Sequence, residues 1–344
     1  MLAPPHDVTI RPRAISNWLF AVAGLVFVMI VVGGITRLTE SGLSITRWDV
    51  VTGTFPPLSD AAWQEAFDLY RQSPQYQLVN RGMDLADFKA IFFWEYIHRL
   101  LGRLIGLAFA LPLAWFAARR AIPRGYGWKL VALLALGGLQ GVIGWWMVAS
   151  GLVDRPEVSH IRLAIHLLTA LAIFGALIWV ALDLRTLAAS PVGRPARITL
   201  TAIWALSMLA VQMLFGAYVA GLEAGYAFNS WPLMGDELYP EAAEWMQPAL
   251  RNFVDNPVTV QFVHRWFAFA AAAVIGLLAL QAWHKACRRQ ALVLAAAVLL
   301  QIQLGVAAIL TGVELWIGVA HQGMAALLLG ALVMTAHRLG ERPA

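Results

Sequence analysis

FFWEYIHRLLGRLIGLAFALPLAWFAA, residues 92–118, is long and apolar enough to cross a bilayer, yet its first half carries Glu95, His98, Arg99 and Arg103. Roughly 20 apolar residues span the hydrocarbon layer as a helix, so this stretch is a membrane helix with ionisable groups set inside it. Such groups are costly there and mark functional positions by default. Seven further runs have comparable length: 18–36, 129–150, 161–182, 198–220, 258–283, 291–311 and 315–336. Composition agrees. Of 344 residues, 60% are hydrophobic and 13% charged, and the mean hydropathy is +0.67, whereas a soluble domain is nearer half apolar and a quarter charged. The net charge of +5 is no nucleic-acid signal, because Lys and Arg fall in short clusters between apolar runs. The first run, behind Arg11 and Arg13, shows no small-residue cleavage signature and reads as a retained helix rather than a signal peptide.

Those basic clusters orient the chain. Arg119, Arg120, Arg124 and Lys129 separate runs two and three. Arg185, Arg194 and Arg197 separate four and five, and Lys285, Arg288 and Arg289 separate six and seven. With Arg11, Arg13 and Arg338 near the termini, all lie on one side, which the positive-inside rule makes cytoplasmic. Both termini are therefore expected inside, and the long loops 38–91 and 221–257 outside. The single cysteine, Cys287, excludes an internal disulfide and a Cys-based zinc or iron–sulfur site.

The chain repeats itself. Gly33, Glu40, Gly42 and Trp48 match Gly216, Glu223, Gly225 and Trp231 at a constant offset of 183 (223 − 40). Glu95-Tyr96-Ile97-His98-Arg99 matches Gln261-Phe262-Val263-His264-Arg265. Gln140, Gly144 and Gly151 match Gln301, Gly305 and Gly312, and His166, Ala170 and Gly175 match His321, Ala325 and Gly330. Matches among Glu, Gln, Trp, His and Arg are not the chance product of apolar composition. Four helices per unit preserve the in–out direction, so the repeat is parallel. The expected architecture is an all-α integral membrane protein of eight transmembrane helices, in two four-helix bundles related by a pseudo-twofold axis along the membrane normal. The halves are 1–190 and 191–344. Close pairs such as Gly102 with Gly106 and Gly137 with Gly141 are expected to let helices approach closely.

Of eight histidines, His6, His284 and His337 fall near the termini or the inner surface and carry no expected role, and His160 stands at the outer mouth of run four. His98, His166, His264 and His321 are intramembrane. His98 lies 21 residues from Arg119, and His264 lies 21 from Lys285, which is ~31 Å at helical rise. His166 and His321 lie 17 residues from Asp183 and Arg338, or ~26 Å. Two histidines on separate helices at comparable height suit axial ligation of a haem iron from both sides. Pairing within each half gives His98 with His166 and His264 with His321; cross-half pairing of His98 with His264 remains open. A lone membrane histidine is more often a helix–helix hydrogen-bond partner, but four at matched positions weigh against that. Zinc or copper sites gather three or four ligands, and two histidines per half fall short. Arg99 and Arg265 suit haem propionates, or equally snorkelling to the headgroups. Trp48 and Trp231 read as covers of a haem face or as interfacial belt residues, the belt being favoured.

The halves also differ. Glu95 shares a helix face with His98, but its counterpart is Gln261. Arg37, Arg103, His160 and Arg162 correspond to Ala220, Phe269, Leu315 and Ile317. The N-terminal half is therefore the expected catalytic pocket and the C-terminal half the expected resident-cofactor pocket. The bland alternative for Glu95 is an ion pair with Arg99 on the next turn.

These motifs, with the stretch Ala224-Gly225-Tyr226-Ala227-Phe228-Asn229-Ser230-Trp231-Pro232-Leu233-Met234, resemble the haem A synthase family over nearly the whole chain. The resemblance implies a membrane oxidoreductase that converts the C8 methyl of haem O to the formyl of haem A for cytochrome oxidase. It implies a resident haem b on His264 and His321, with Arg265 and Trp231 nearby. Substrate haem O would then lie between His98 and His166, beside Arg99, with Glu95 assisting catalysis. The implied setting is a bacterial inner membrane, or a mitochondrial one in a eukaryote, with haem O synthase and cytochrome oxidase assembly factors as partners and homo-oligomers allowed. Some members carry paired cysteines in the first outer loop. Here 38–91 has none, so the chain resembles the cysteine-free branch typical of alphaproteobacteria and mitochondria. A di-haem cytochrome b carrying electrons is the main alternative, and a two-repeat transporter a lesser one.

Overall fold

The computed structural model describes residues 10–47, 54–153, 155–190, 194–241 and 243–342. Eleven α-helices appear among them and no strand. They are α1 (Pro12–Leu38), α2 (Asp60–Tyr70), α3 (Pro74–Leu78), α4 (Leu85–Ala118), α5 (Gly127–Ala149), α6 (His160–Ala189), α7 (Leu200–Gly221), α8 (Asn252–Asp255), α9 (Pro257–His284), α10 (Arg288–Leu310) and α11 (Leu315–Gly340). All but α2, α3 and α8 are long and apolar enough to cross a membrane, giving eight spans. The chain is a multi-pass membrane protein.

Several helix starts follow from local chemistry. Asp84 caps α4 by accepting from Ala86 and Asp87 N–H, so that helix begins well before residue 92. Thr199 and Asn256 cap α7 and α9 in the same manner, each satisfying N–H groups the helix itself leaves open. Pro112 lies inside α4 and removes the N–H that would bond the carbonyl of Ala108. The indole N–H of Trp18 takes that acceptor at 2.8 Å, tying α1 to α4 where the ladder is broken.

In the first half α1, α4, α5 and α6 close a ring of contacts, and in the second half α7, α9, α10 and α11 do the same. The halves meet through α1 on α11, α6 on α7 and α6 on α11. The buried apolar core runs from Ile15 and Leu19 of α1 through Leu177 and Leu184 of α6 to Leu332 and Leu339 of α11. It fills the basic-side half of the bundles and leaves the other half for the histidines. A second cluster, of Phe67, Tyr70, Phe88 and Phe92, packs α2 onto the N-terminal end of α4.

The repeat extends to the backbone. Glu40 and Glu223 both hold left-handed φ, at 52° and 54°, and each precedes a short 3-10 turn, Ser41–Leu43 and Ala224–Tyr226. Arg120 and Ala286, matched by the offset of their helices, are left-handed too, at 50° and 61°.

Candidate functional site

In the second half, α9 and α11 bring the rings of His264 and His321 to 6.3 Å between centroids, with planes at 88°. A metal–imidazole bond is roughly 2 Å. Two such bonds plus two ring radii fill this gap, so the pair fits an iron held from both sides. Glycines seat the rings: a Cβ on Gly216 or Gly305 would stand 2.9 Å from Cε1 of His264 or His321. Glutamines brace them. Gln212 Nε2 donates to the carbonyl of His264 at 2.9 Å and lies 3.0 Å from its Nδ1, and Gln301 Nε2 lies 3.2 Å from Nδ1 of His321.

The first half repeats this around His166. A Cβ on Gly144 would stand 2.9 Å from its Cε1, and Gln140 Nε2 lies 3.1 Å from Nδ1 and donates to the carbonyl at 2.8 Å. A ring that ligates through Nε2 carries its proton on Nδ1 and needs an acceptor there. The Oε1 atoms of Gln140, Gln212 and Gln301 are buried with no hydrogen-bond partner among the described residues. Turning each amide over supplies that acceptor, with loss for Gln140 and Gln212 of the bond to the histidine's own carbonyl.

His98 and His166 both line a cavity of about 710 Å³ that Glu95, Arg103 and Gln75 also border. The glycines expected to draw helices together, Gly102 with Gly106 and Gly137 with Gly141, instead form its wall, and Gly138 joins them. A Cβ on Gly106, Gly137, Gly138 or Gly141 would meet nothing within 4 Å. Their role is to leave space between α4 and α5, whose mutual contact is smaller than that of α9 with α10.

Glu95 is 2% exposed and holds three donors. Oε2 accepts from Ser44 Oγ at 2.7 Å and Ile45 N–H at 2.8 Å, and Oε1 from Arg99 at 2.6 Å. The ion pair foreseen as the bland alternative is therefore present, and the carboxylate still borders the cavity. Arg99 also donates to the carbonyls of Ile45 and Arg47. Arg265 donates at matched places to Phe228 and Ser230, and Gln261 Nε2 reaches Phe228 as well. Both arginines, expected to face propionates or headgroups, strap a loop to their helix, and Arg99 borders the cavity as well.

Trp231 stacks on Trp266 and Phe269 at 5.9 and 6.2 Å, so its neighbours are aromatic side chains of α9. Trp48 and His6 lie outside the described residues. Arg37 crosses between halves, donating to the carbonyl of Ala220 at 2.9 Å and pairing with Glu223 at 3.1 Å. His160 stands 3.2 Å from Asp255, and Arg162 donates to the carbonyl of Trp146.

Two expectations need correction at the basic side. Asp183, taken as the inner edge of its span, lies inside α6 and is buried, so the depth measured for His166 from that edge is too small. His337, given no role, is 2% exposed and bonds Asp183 at 3.0 Å. Sequence reading also missed Met29. The offset of 183 places it opposite Gln212, but a methionine in an apolar helix draws no notice.

The cytochrome oxidase assembly protein family model COX15-CtaA matches residues 16–333. The heme A synthase of Rhizorhabdus wittichii is 54% identical over 99% of this chain and 98% of its own. That of Sphingopyxis alaskensis is 52% identical over 97% and 94%, and that of Novosphingobium aromaticivorans 50% identical over 99% of each.

Proposed function

The chain belongs to the COX15-CtaA family of cytochrome oxidase assembly proteins, and from that premise we propose that it is a haem A synthase, oxidising the C8 methyl of haem O to the formyl of haem A. The observation that carries this reading is the contrast between halves. One sets two histidines 6.3 Å apart, and the other sets two around a cavity of about 710 Å³ beside a buried carboxylate. A resident cofactor suits the first and an exchanging substrate the second.

In this reading residues 191–344 hold haem b on His264 and His321, and residues 1–190 take haem O between His98 and His166. The contacts of α1 with α11 and of α7 with α6 support a pseudo-twofold relation between the two. Haem b, once bound, supplies one-electron chemistry. The remaining work belongs to the chain. Turning a methyl into a formyl with water as the oxygen donor (R–CH3 + H2O → R–CHO + 4 H+ + 4 e−) passes four electrons one at a time to an external oxidant and sheds four protons, so a proton acceptor is needed beside the carbon. Glu95 is that acceptor, oriented by Ser44, Ile45 and Arg99. Arg103, on the cavity wall, supplies positive charge toward the substrate carboxylates. Gln75, which also borders the cavity, is fixed by donating to the carbonyl of Glu40 and accepting from Tyr70.

By the positive-inside rule the basic side is cytoplasmic, which places both termini inside and both haem sites toward the outer face of a bacterial inner membrane. Haem O synthase and oxidase assembly factors are the expected partners. The test is expression of the full chain beside a haem O source, followed by extraction and chromatography of its pigments. Haem A formed alongside retained haem b supports the synthase; two permanent haems b with no haem A would instead make it an electron carrier.

A further inference from the structure

Three of the four intramembrane histidines share one support: a glycine against Cε1 at 2.9 Å and a glutamine at Nδ1. His98 departs from it twice. A Cβ on its glycine, Gly33, would stand 3.6 Å from the nearest ring atom, against 2.9 Å at the other three, so the ring is less closely seated. Met29 occupies the place of Gln212, and the described residues supply no hydrogen bond to the His98 ring. Met29 borders the same cavity, its Cε 3.3 Å from where a Cβ on Gly102 would stand.

A hydrogen bond to the far nitrogen of a ligating histidine fixes the ring and raises its basicity, and a thioether is at best a weak acceptor. We propose that His98 is the releasable ligand of the first-half site, and that methionine at position 29 makes it so. The proposal rests on the synthase reading and adds a division of labour. A converted haem must leave at each turnover, so one of its ligands should let go; a resident haem must not leave, so both of its ligands are braced. His166, held by Gln140, stays as the anchor while His98 swings into the cavity beside it.

The test is haem transfer from the purified full chain, carrying haem in both halves, to an excess of apomyoglobin, with each released pigment identified by chromatography. The unaltered chain should release haem in two phases, the fast one from the first half. Met29→Gln should slow that phase on the order of 10-fold and leave the slow phase alone, since such supporting contacts commonly change metal affinity by about 10–100-fold. Gln212→Met, the reverse exchange, should speed the slow phase by a similar factor. An unchanged fast phase in Met29→Gln overturns the proposal, as does a single phase in the unaltered chain. Should Met29→Gln fail to accumulate, an unchanged slow phase in Gln212→Met overturns it. These readouts need no turnover. A chain that transfers haem in two phases but forms no haem A from haem O counts against the synthase reading only, and one that holds haem in neither half overturns both.

Discussion

Gly33 and Gly216 occupy matched places, yet a methyl group added at each meets different surroundings. At Gly216 it would land 2.9 Å from Cε1 of His264, and Gln212 holds that ring from the other side. At Gly33 the contact is an ordinary 3.6 Å. Alanine is the better helix former by about 1 kcal/mol, so neither change should weaken its helix. Gly216→Ala should therefore fold but lose most of its resident haem by pyridine haemochrome assay, while Gly33→Ala keeps it. Equal retention would remove the glycine seat from the account. Glu95→Gln is a second residue-scale test. It keeps the shape but loses the proton acceptor, so haem A formation should fall on the order of 100-fold with haem b content unchanged. Undiminished formation would take Glu95 out of the mechanism.

Among the elements, α6 and α11 show why helix ends were misread. A hydropathy pattern stops at Asp183 because an acid in an apolar run looks like a boundary. The helix continues to Ala189 because the carboxylate has non-local partners: His337, the N–H of Ala196, and Lys129 at 3.6 Å. Those lie in other elements, where no local pattern can show them. The start of α4 was missed as well, although Asp84 followed by Leu-Ala-Asp is a capping signal in plain sequence. Asp183→Ala would leave the three donors without their acceptor in a buried place, costing about 3–5 kcal/mol. A matching loss of unfolding free energy in a detergent titration is the expected result. Beside this cluster, burial and the charge of Asp183 push Tyr126 from 10 up to about 12. The folded state holds that proton more tightly than the unfolded one, so stability should fall as pH rises from 10 through 12. Tyr126→Phe should flatten that fall; an unchanged alkaline midpoint would refute the assignment.

At the level of the whole molecule, the eight spans, the repeat and the four histidines were legible because each is written in residue types that apolar helices rarely carry. The cavity was not. A glycine in a membrane helix serves close packing or open space equally well, and only the position of the neighbouring helix decides. The repeat does hold the clue: the offset of 161 between Gln140 and Gln301 sets Gly137, Gly138 and Gly141 against Val298, Leu299 and Ile302. The same helix is thus bulky in the half that keeps its ligands close and bare in the half with the cavity. Grafting one onto the other isolates that difference. A chain carrying Gly137→Val, Gly138→Leu and Gly141→Ile should fold, because those side chains project where a Cβ on any of the three glycines meets nothing within 4 Å, and each replaces a glycine that weakens its helix. Its resident haem should be retained in full, since Gln212, Gly216, Gln301 and Gly305, which seat His264 and His321, are untouched. Haem O retention and haem A formation should fall below detection, because the added side chains occupy the space the substrate needs. Haem A formed at the unaltered rate would mean that the substrate does not use the space between α4 and α5, and that the asymmetry of the halves serves something other than the reaction.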